Sequence, residues 1–120
     1  MAIQRVLHNA LNVTDLAAAE HFYSEVLGLP LADRDLNFPG LWYQINDYQI
    51  HLIVAPDNAP SPNQEKWGRN RHLAFAVDDI AATQQRLAAI GQPFQASTSG
   101  RPAIFLRDPD DNVIELSQVD

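Results

Sequence analysis

The chain has 120 residues, of which 46% are hydrophobic, and it contains no cysteine. Eight Lys and Arg residues against fifteen Asp and Glu residues give a net charge of -7, which argues against nucleic-acid or membrane partners. The lack of cysteine excludes disulfides, thiolate metal sites and thiol nucleophiles. Because no stretch approaches the roughly 20 apolar residues of a spanning helix, and the N-terminus has no signal-peptide core, we expect a cytoplasmic protein.

The first half of the chain predicts one strand, one helix and three more strands. An alternating run at residues 6–13 is typical of a strand, and an acidic or hydroxyl cap then precedes an Ala-rich segment with apolar residues at helical spacing. Gly28 stands where a helix end needs a left-handed residue, and Pro30 prevents continuation of the helix. The three later strands are predicted at about 29–36, 40–46 and 48–55.

The second half repeats this order after a loop. Residues 56–70 are rich in Pro, Asn and Gly, which predicts a loop between two modules. A strand and a helix follow, and Gly91 and Pro93 take the places of Gly28 and Pro30. The remaining strands are predicted at about 94–97, 101–107 and 112–119.

The two halves align as copies of one unit. The run His8–Leu16 falls on His72–Ile80 at an offset of 64 residues, and His51 falls on Glu115 at the same offset. This period is typical of a duplicated half-domain rather than a solenoid. We therefore predict an α+β fold with two βαβββ modules, residues 1–55 and residues 71–120, in one structural domain.

Three histidines and one glutamate occupy matching points of the two copies. The spacing from His8 to His51 equals that from His72 to Glu115, at 43 residues. Strand alternation places all four opposite the large apolar side chains, and imidazole and carboxylate groups in such an arrangement suit a divalent metal. An ion-pair cluster without metal is the alternative interpretation.

Four further side chains are candidates for substrate binding. Arg101 and Arg71 would suit a substrate carboxylate or phosphate, although they could equally offset an acidic surface. Trp42 and Phe105 share the face of the candidate ligands and could pack against a substrate, although aromatic residues at this spacing also form ordinary cores.

Three segments resemble the vicinal oxygen chelate superfamily, which includes glyoxalase I, extradiol dioxygenases, fosfomycin-resistance enzymes, methylmalonyl-CoA epimerase and bleomycin-resistance proteins. They are residues 6–16, residues 71–79 and the ending Phe105-Leu-Arg-Asp-Pro-Asp-Asp-Asn-Val-Ile-Glu-Leu116. The resemblance implies a curved, incompletely closed eight-stranded mixed sheet around a metal site. It also implies that His8, His51, His72 and Glu115 are the metal ligands.

Two positions depart from the family pattern. Glyoxalase I usually carries a glutamate where this chain has His51, so one carboxylate able to move between metal ligation and proton transfer is missing. The usual Asp-Pro-Asp-Gly-Asn turn has Asp111 in place of glycine, which we expect to alter only the turn.

The resemblance implies a glyoxalase-like lyase or isomerase that chelates a small substrate, such as a thiol conjugate, through adjacent oxygens. Zn or Ni suits this nitrogen-rich ligand set, while Fe and Mn stay open, and Glu115 is the expected base. The alternatives are an Fe(II) extradiol-type dioxygenase, a fosfomycin-type thiol transferase and a non-enzymatic binding protein of the bleomycin-resistance kind. We expect a homodimer in which His8 and His51 of one chain meet His72 and Glu115 of the other.

Overall fold

The chain divides by its internal contacts into two units, Met1–Asn58 and Ala59–Asp120. The structure is a computed structural model, and it describes residues 1–34, 37–57 and 59–119. The end of the predicted strand 29–36, residue 58 of the predicted loop and residue 120 of the second module lie outside the described residues.

The first unit contains one mixed four-stranded sheet and one helix. In the sheet order β1-β4-β3-β2, β1 runs parallel to β4 and the other neighbours are antiparallel. The helix α1 continues directly into a π-helical turn. The elements are β1 (His8–Val13), α1 (Leu16–Glu20), the π-helical turn (His21–Val26), β2 (Leu31–Ala32), β3 (Gly40–Ile45) and β4 (Tyr48–Val54).

The second unit has the same plan. Its sheet order is β5-β8-β7-β6, again with the first pair parallel and the others antiparallel. A 3-10 turn at Trp67–Arg69 precedes the first strand. The elements are β5 (His72–Val77), α2 (Ile80–Ala89), β6 (Gln95–Ala96), β7 (Ala103–Arg107) and β8 (Val113–Gln118).

The predicted α+β class and the strand–helix–three-strand order of both halves are confirmed. The eight strands of the described residues form two separately hydrogen-bonded four-stranded sheets, one in each unit. Strand β2 is much shorter than the predicted strand 29–36, because proline and aspartate at residues 30 and 33 are poor strand formers. In the described part of the chain, no helix is long and apolar enough to cross a bilayer.

Both helices begin and end as their sequences predict. Asp15 Oδ1 accepts from the backbone N–H of Ala18 at 3.1 Å, and Asp79 Oδ1 accepts from that of Ala82 at 3.0 Å. Gly28, just beyond the π-helical turn that continues α1, and Gly91, just beyond α2, have φ values of 72° and 74°. Only glycine adopts this left-handed conformation without strain, which explains why the helices stop at equivalent points.

The first sheet buries one face more deeply than the other, whereas β7 and β8 of the second sheet are buried on both faces along most of their length. In β1, burial alternates along the strand and reaches its maximum at Val13, while His8 is exposed. In β4, Ile50 and Leu52 are buried, whereas His51 between them is only half-buried. The alternation therefore leaves the His8 and His51 side chains on the less apolar face, as the sequence predicts.

Candidate functional site

In the second unit, His72 and Glu115 lie in direct contact. Strands β5 and β8 are parallel neighbours in which Ala74 pairs with Glu115, so His72, two residues before Ala74, shares its face. The distance from His72 Nε2 to Glu115 Oε1 is 3.2 Å. The Glu115 side chain is only 10% exposed and the His72 side chain 27%, so the contact is partly shielded from water.

The backbone of Asn70 fixes the tautomer of His72. The Nδ1 atom of His72 lies 2.7 Å from the carbonyl oxygen of Asn70. Because a carbonyl only accepts, Nδ1 must carry a proton, and Nε2 is left facing a carboxylate oxygen. Two acceptor atoms do not approach this closely unless a proton or a metal ion lies between them.

The second oxygen of Glu115 has its own partners. The hydroxyl of Ser117, two residues further along β8, donates a short hydrogen bond to Oε2. Arg101 Nη1 lies 3.7 Å from the same oxygen. Phe105, which pairs with Glu115 across β7 and β8, presents its ring at 83° to that of His72 with centroids 5.6 Å apart. These contacts hold the carboxylate in one orientation.

In the first unit, His8 and His51 belong to a stack of three rings. The ring of His51 lies 4.1 Å from that of His8, at an interplanar angle of 16°. On its other side it lies 4.2 Å from the ring of Trp42, at 8°. The register explains the Trp42–His51 contact, because these two residues pair directly across β3 and β4.

His51 is held in a setting that favours its neutral form. Burial lowers the pKa of His51, and the nearby His8 and Arg34 lower it further. Its Nε2 atom lies 2.8 Å from the side-chain oxygen of Gln49 on the same strand. A neutral imidazole is the form that binds a metal, so the lowered pKa suits a ligand role.

The two pairs occupy equivalent registers of the two sheets. His51 lies between Ala10 on the parallel neighbour and Trp42 on the antiparallel one. Glu115 lies in the same way between Ala74 and Phe105. Each candidate ligand on a central strand thus has a small residue on one side and an aromatic residue on the other.

Three of the four predicted substrate-binding residues contact the candidate ligands. Trp42, Phe105 and Arg101 contact the candidate ligands, whereas Arg71 is exposed beside His72. Within either unit, the described residues bring no three His, Asp or Glu side chains together in a group that could hold a metal. The convergence of both pairs on one ion stays a prediction.

The sequence interpretation did not identify three residues that form hydrogen bonds to the candidate ligands. Gln49 and Ser117 lie two residues from His51 and Glu115, so strand alternation alone could have indicated both. Asn70 lies in an irregular loop, where no periodic pattern indicates which backbone carbonyl meets a histidine.

The second pair fits a divalent metal on geometric grounds. Two ligands bound at about 2.1 Å to one ion lie about 3.0 Å apart in octahedral and about 3.4 Å apart in tetrahedral coordination. The 3.2 Å between His72 Nε2 and Glu115 Oε1 falls between these values. A metal-bound histidine also typically donates its other N–H to a carbonyl, as His72 does to Asn70.

Comparison with known proteins assigns the chain to a family. The model described as Glyoxalase/Bleomycin resistance protein/Dioxygenase superfamily matches residues 5–116. The chain is similar to the "Probable lactoylglutathione lyase" of Vibrio cholerae, with 31% identity covering 98% of this chain and 93% of that relative. It is also similar to the "Ethylmalonyl-CoA/methylmalonyl-CoA epimerase" of Cereibacter sphaeroides, with 29% identity covering 98% of this chain and 99% of that relative.

The solved structure of TnmS3, an antibiotic binding protein from Streptomyces sp. CB03234, has the same fold. It superimposes with a TM-score of 0.75 at 27% identity, covering 100% of this chain and 99% of the other. The chain therefore belongs to the glyoxalase/bleomycin resistance protein/dioxygenase superfamily, as the sequence resemblance predicts. Both enzymes and a ligand-binding protein are among the proteins it resembles.

Proposed function

We propose that the protein is a divalent-metal-dependent lyase or isomerase that acts on a small substrate with two adjacent oxygens. The observation that carries this proposal is the His72–Glu115 contact, in which an imidazole nitrogen and a carboxylate oxygen lie 3.2 Å apart, a spacing that suits two ligands of one ion, while a backbone carbonyl holds the other imidazole nitrogen. Similarity to a lactoylglutathione lyase and to an epimerase supports it, since each name denotes a lyase or isomerase.

In this proposal His8, His51, His72 and Glu115 hold one ion. Their three imidazoles and one carboxylate form a nitrogen-rich set that suits Zn or Ni, and Fe or Mn is the alternative. When bound, the metal would act as a Lewis acid that stabilises negative charge on the chelated oxygens of the substrate.

Glu115 is the proposed base. It would take a proton from the carbon beside a substrate carbonyl and return it to the neighbouring carbon, so the substrate is rearranged without a change in composition. Ser117 and Arg101 both contact Oε2 and would keep the carboxylate oriented while Oε1 changes partner. Trp42 and Phe105 would form apolar walls that limit access of water to the transferred proton.

Metal analysis and titration test this proposal. Protein purified without added metal is analysed for bound elements, then stripped with chelator and titrated with Zn, Ni, Fe(II) and Mn by calorimetry. We expect tight binding of one of these ions in the wild type and a loss of at least about tenfold in affinity in His72→Ala and Glu115→Gln. His21→Ala removes an exposed histidine outside both pairs and serves as the control. Equal affinity in all four proteins would contradict the ligand assignment.

An activity screen with the preferred metal separates the possible reactions. Hemithioacetals, formed from a thiol and a 2-oxoaldehyde, test for the lyase. Catechols in air test for a dioxygenase, and an epoxide antibiotic with added thiol tests for a thiol transferase. We expect turnover of the first class, and we expect Glu115→Gln to abolish it. Turnover of catechols alone, with iron bound, would replace the lyase proposal with the dioxygenase.

Sharing of the site between two chains is also proposed, and mixed variants test it. A chain with His8→Ala and His51→Ala is refolded together with one carrying His72→Ala and Glu115→Gln. If each site takes one pair from each chain, mixed dimers contain one intact site, and the mixture recovers about a quarter of wild-type activity. No recovery would contradict sharing of the site between two chains.

A second candidate function is binding of a planar antibiotic without turnover. The stack of Trp42, His51 and His8 favours it, since flat rings provide a platform for a flat ligand. Similarity to an antibiotic binding protein supports it further. Micromolar binding of such a compound by chelator-treated protein, together with no turnover in the screen, would favour this function over the lyase.

A further inference from the structure

A cleft of about 330 Å³ lies within the second unit, beside the candidate site. One wall lies in the segment 66–69 around the 3-10 turn, and the other lies in the segment 95–101, which begins with β6. Phe105, whose ring contacts His72, lines the same cleft. The volume is in the usual range for small-molecule sites, which begin at about 300 Å³.

The cleft concentrates positive charge in an acidic protein. Lys66, Arg69 and Arg101 all line it, so it holds three of the eight Lys and Arg residues of a chain with net charge -7. None of the described residues that line it is acidic. Lys66 and Arg69 are exposed, and neither takes part in an ion pair within the described part of the chain. Their charges are therefore available to an anion.

Hydroxyl groups supply the remaining donors. Ser97, Thr98 and Ser99 form one edge of the cleft. Ser99 Oγ accepts from Arg101 Nε at 3.2 Å and lies 2.8 Å from Ser97 Oγ. Because one of the Ser97 and Ser99 hydroxyls donates to the other, two hydroxyl donors remain beside the three cations. These exceed what one carboxylate accepts, whereas a tetrahedral group with three terminal oxygens and two charges would engage most of them.

We propose that this cleft binds a phosphate or phosphonate group carried by the substrate. The link to the reaction rests on the proposed function, because Arg101 lies 3.7 Å from Glu115 and so joins the cleft to the proposed base. Lys66 and Arg69 are then specificity-determining residues that select a doubly charged substrate. Arg101 orients both the anion and the carboxylate.

Calorimetric titration of the purified protein tests the inference, with inorganic phosphate, methyl phosphate and acetate as probes. Each titration is run on protein as purified and on chelator-treated protein. We expect saturable binding of one phosphate or methyl phosphate per chain in both preparations, and binding of acetate at least tenfold weaker. Lys66→Gln and Arg69→Gln should each weaken phosphate binding by about tenfold, the equivalent of one charge-assisted hydrogen bond. Arg5→Gln removes an exposed cation from the other unit and should change nothing.

Three outcomes would overturn the inference. They are the absence of phosphate binding in chelator-treated protein, acetate binding as tight as that of phosphate, and equal weakening in Arg5→Gln and the two cleft variants. A chain that binds phosphate in the cleft but no metal would leave the inference standing and refute the proposed lyase. Failure of the phosphate-binding inference can therefore be distinguished from failure of the proposed lyase function.

Discussion

The carboxylate of Asp111 holds the backbone of Ser61, fifty residues earlier in the chain. Oδ2 accepts from the Ser61 N–H at 3.0 Å and from Gln64 Nε2 at 2.7 Å, and the Asp111 carbonyl accepts from the Ser61 hydroxyl at 2.8 Å. Arg107 lies 3.3 Å from the other carboxylate oxygen. The β7–β8 turn thereby fixes the start of the loop that leads to His72.

Substitutions at Asp111 should separate the effect of backbone strain on stability from the effect of these contacts. Its φ of 68° costs any side chain about 1 kcal/mol relative to glycine, and somewhat less for Asp and Asn. We expect stability to fall in the order wild type, Asp111→Asn, Asp111→Gly, Asp111→Ala, with a loss of about 2–3 kcal/mol for Ala. Urea denaturation measures the series. A glycine variant more stable than the wild type would show that the Ser61 and Gln64 contacts contribute less than the strain that glycine relieves.

This turn shows where the sequence interpretation was incomplete. The departure from glycine was expected to alter only the turn, yet the carboxylate also anchors a distant loop. Family resemblance identifies the position, but the contact depends on how a loop of irregular conformation returns to the sheet. Periodicity carries no information about such a path.

Asn70 supports His72 from within the same loop. Its side chain is buried, donates to the carbonyls of Asn63 and Trp67 at 2.8 and 3.0 Å, and accepts from the Asn63 N–H at 2.8 Å. Asn70→Ala leaves these buried groups without partners, so we expect a loss of about 2–3 kcal/mol of stability in urea denaturation. We also expect weaker metal binding, because the carbonyl that orients His72 loses its position.

Gln85→Ala, on the exposed face of α2, is the matched amide control and should change both properties little. An Asn70→Ala protein that loses stability but keeps full metal affinity would show that the loop does not position the histidine.

The faces of the strands could be predicted far better than the contacts between side chains. Strand alternation placed His8, His51, His72 and Glu115 on the less apolar faces, and hydrogen-bonded register then brought them into two pairs. The stacking of His51 between His8 and Trp42 depends on side-chain rotamers, which alternation does not specify. The π-helical turn at His21–Val26 was also missed, since a short π segment that continues an α-helix covers too few residues to show a period of its own.

Gly68 allows the loop to approach Phe105 closely. A Cβ atom at this position would lie 2.4 Å from Cζ of the Phe105 ring. We expect Gly68→Ala to displace that ring from the edge of His72 and to destabilise the protein by about 1–3 kcal/mol. Phe105→Leu removes the obstructing ring edge, so the double variant should lose less stability than the sum of the two single variants. Strict additivity in urea denaturation would show that the two residues do not conflict.

The buried phenol of Tyr43 should make the protein sensitive to alkaline pH. Burial raises the pKa of Tyr43 above its usual value near 10, and Glu20 raises it further, while the hydrogen bond to Ser24 opposes the shift. Below about pH 10 the phenol is protonated in both the folded and the unfolded chain, so it adds no pH dependence to the free energy of unfolding. Above that pH the unfolded chain releases the proton first, and stability falls by up to about 1.4 kcal/mol per pH unit.

Tyr43→Phe tests this assignment. It loses the 2.8 Å contact with Ser24 and should be about 1 kcal/mol less stable at pH 7. Its stability should nevertheless decline less steeply than that of the wild type between about pH 10 and pH 11, because no buried phenol remains at this position to resist ionisation. Tyr48→Phe, on the adjacent strand, is the matched control. If the urea-denaturation profiles of Tyr43→Phe and wild type run parallel over this range, the alkaline sensitivity has another source.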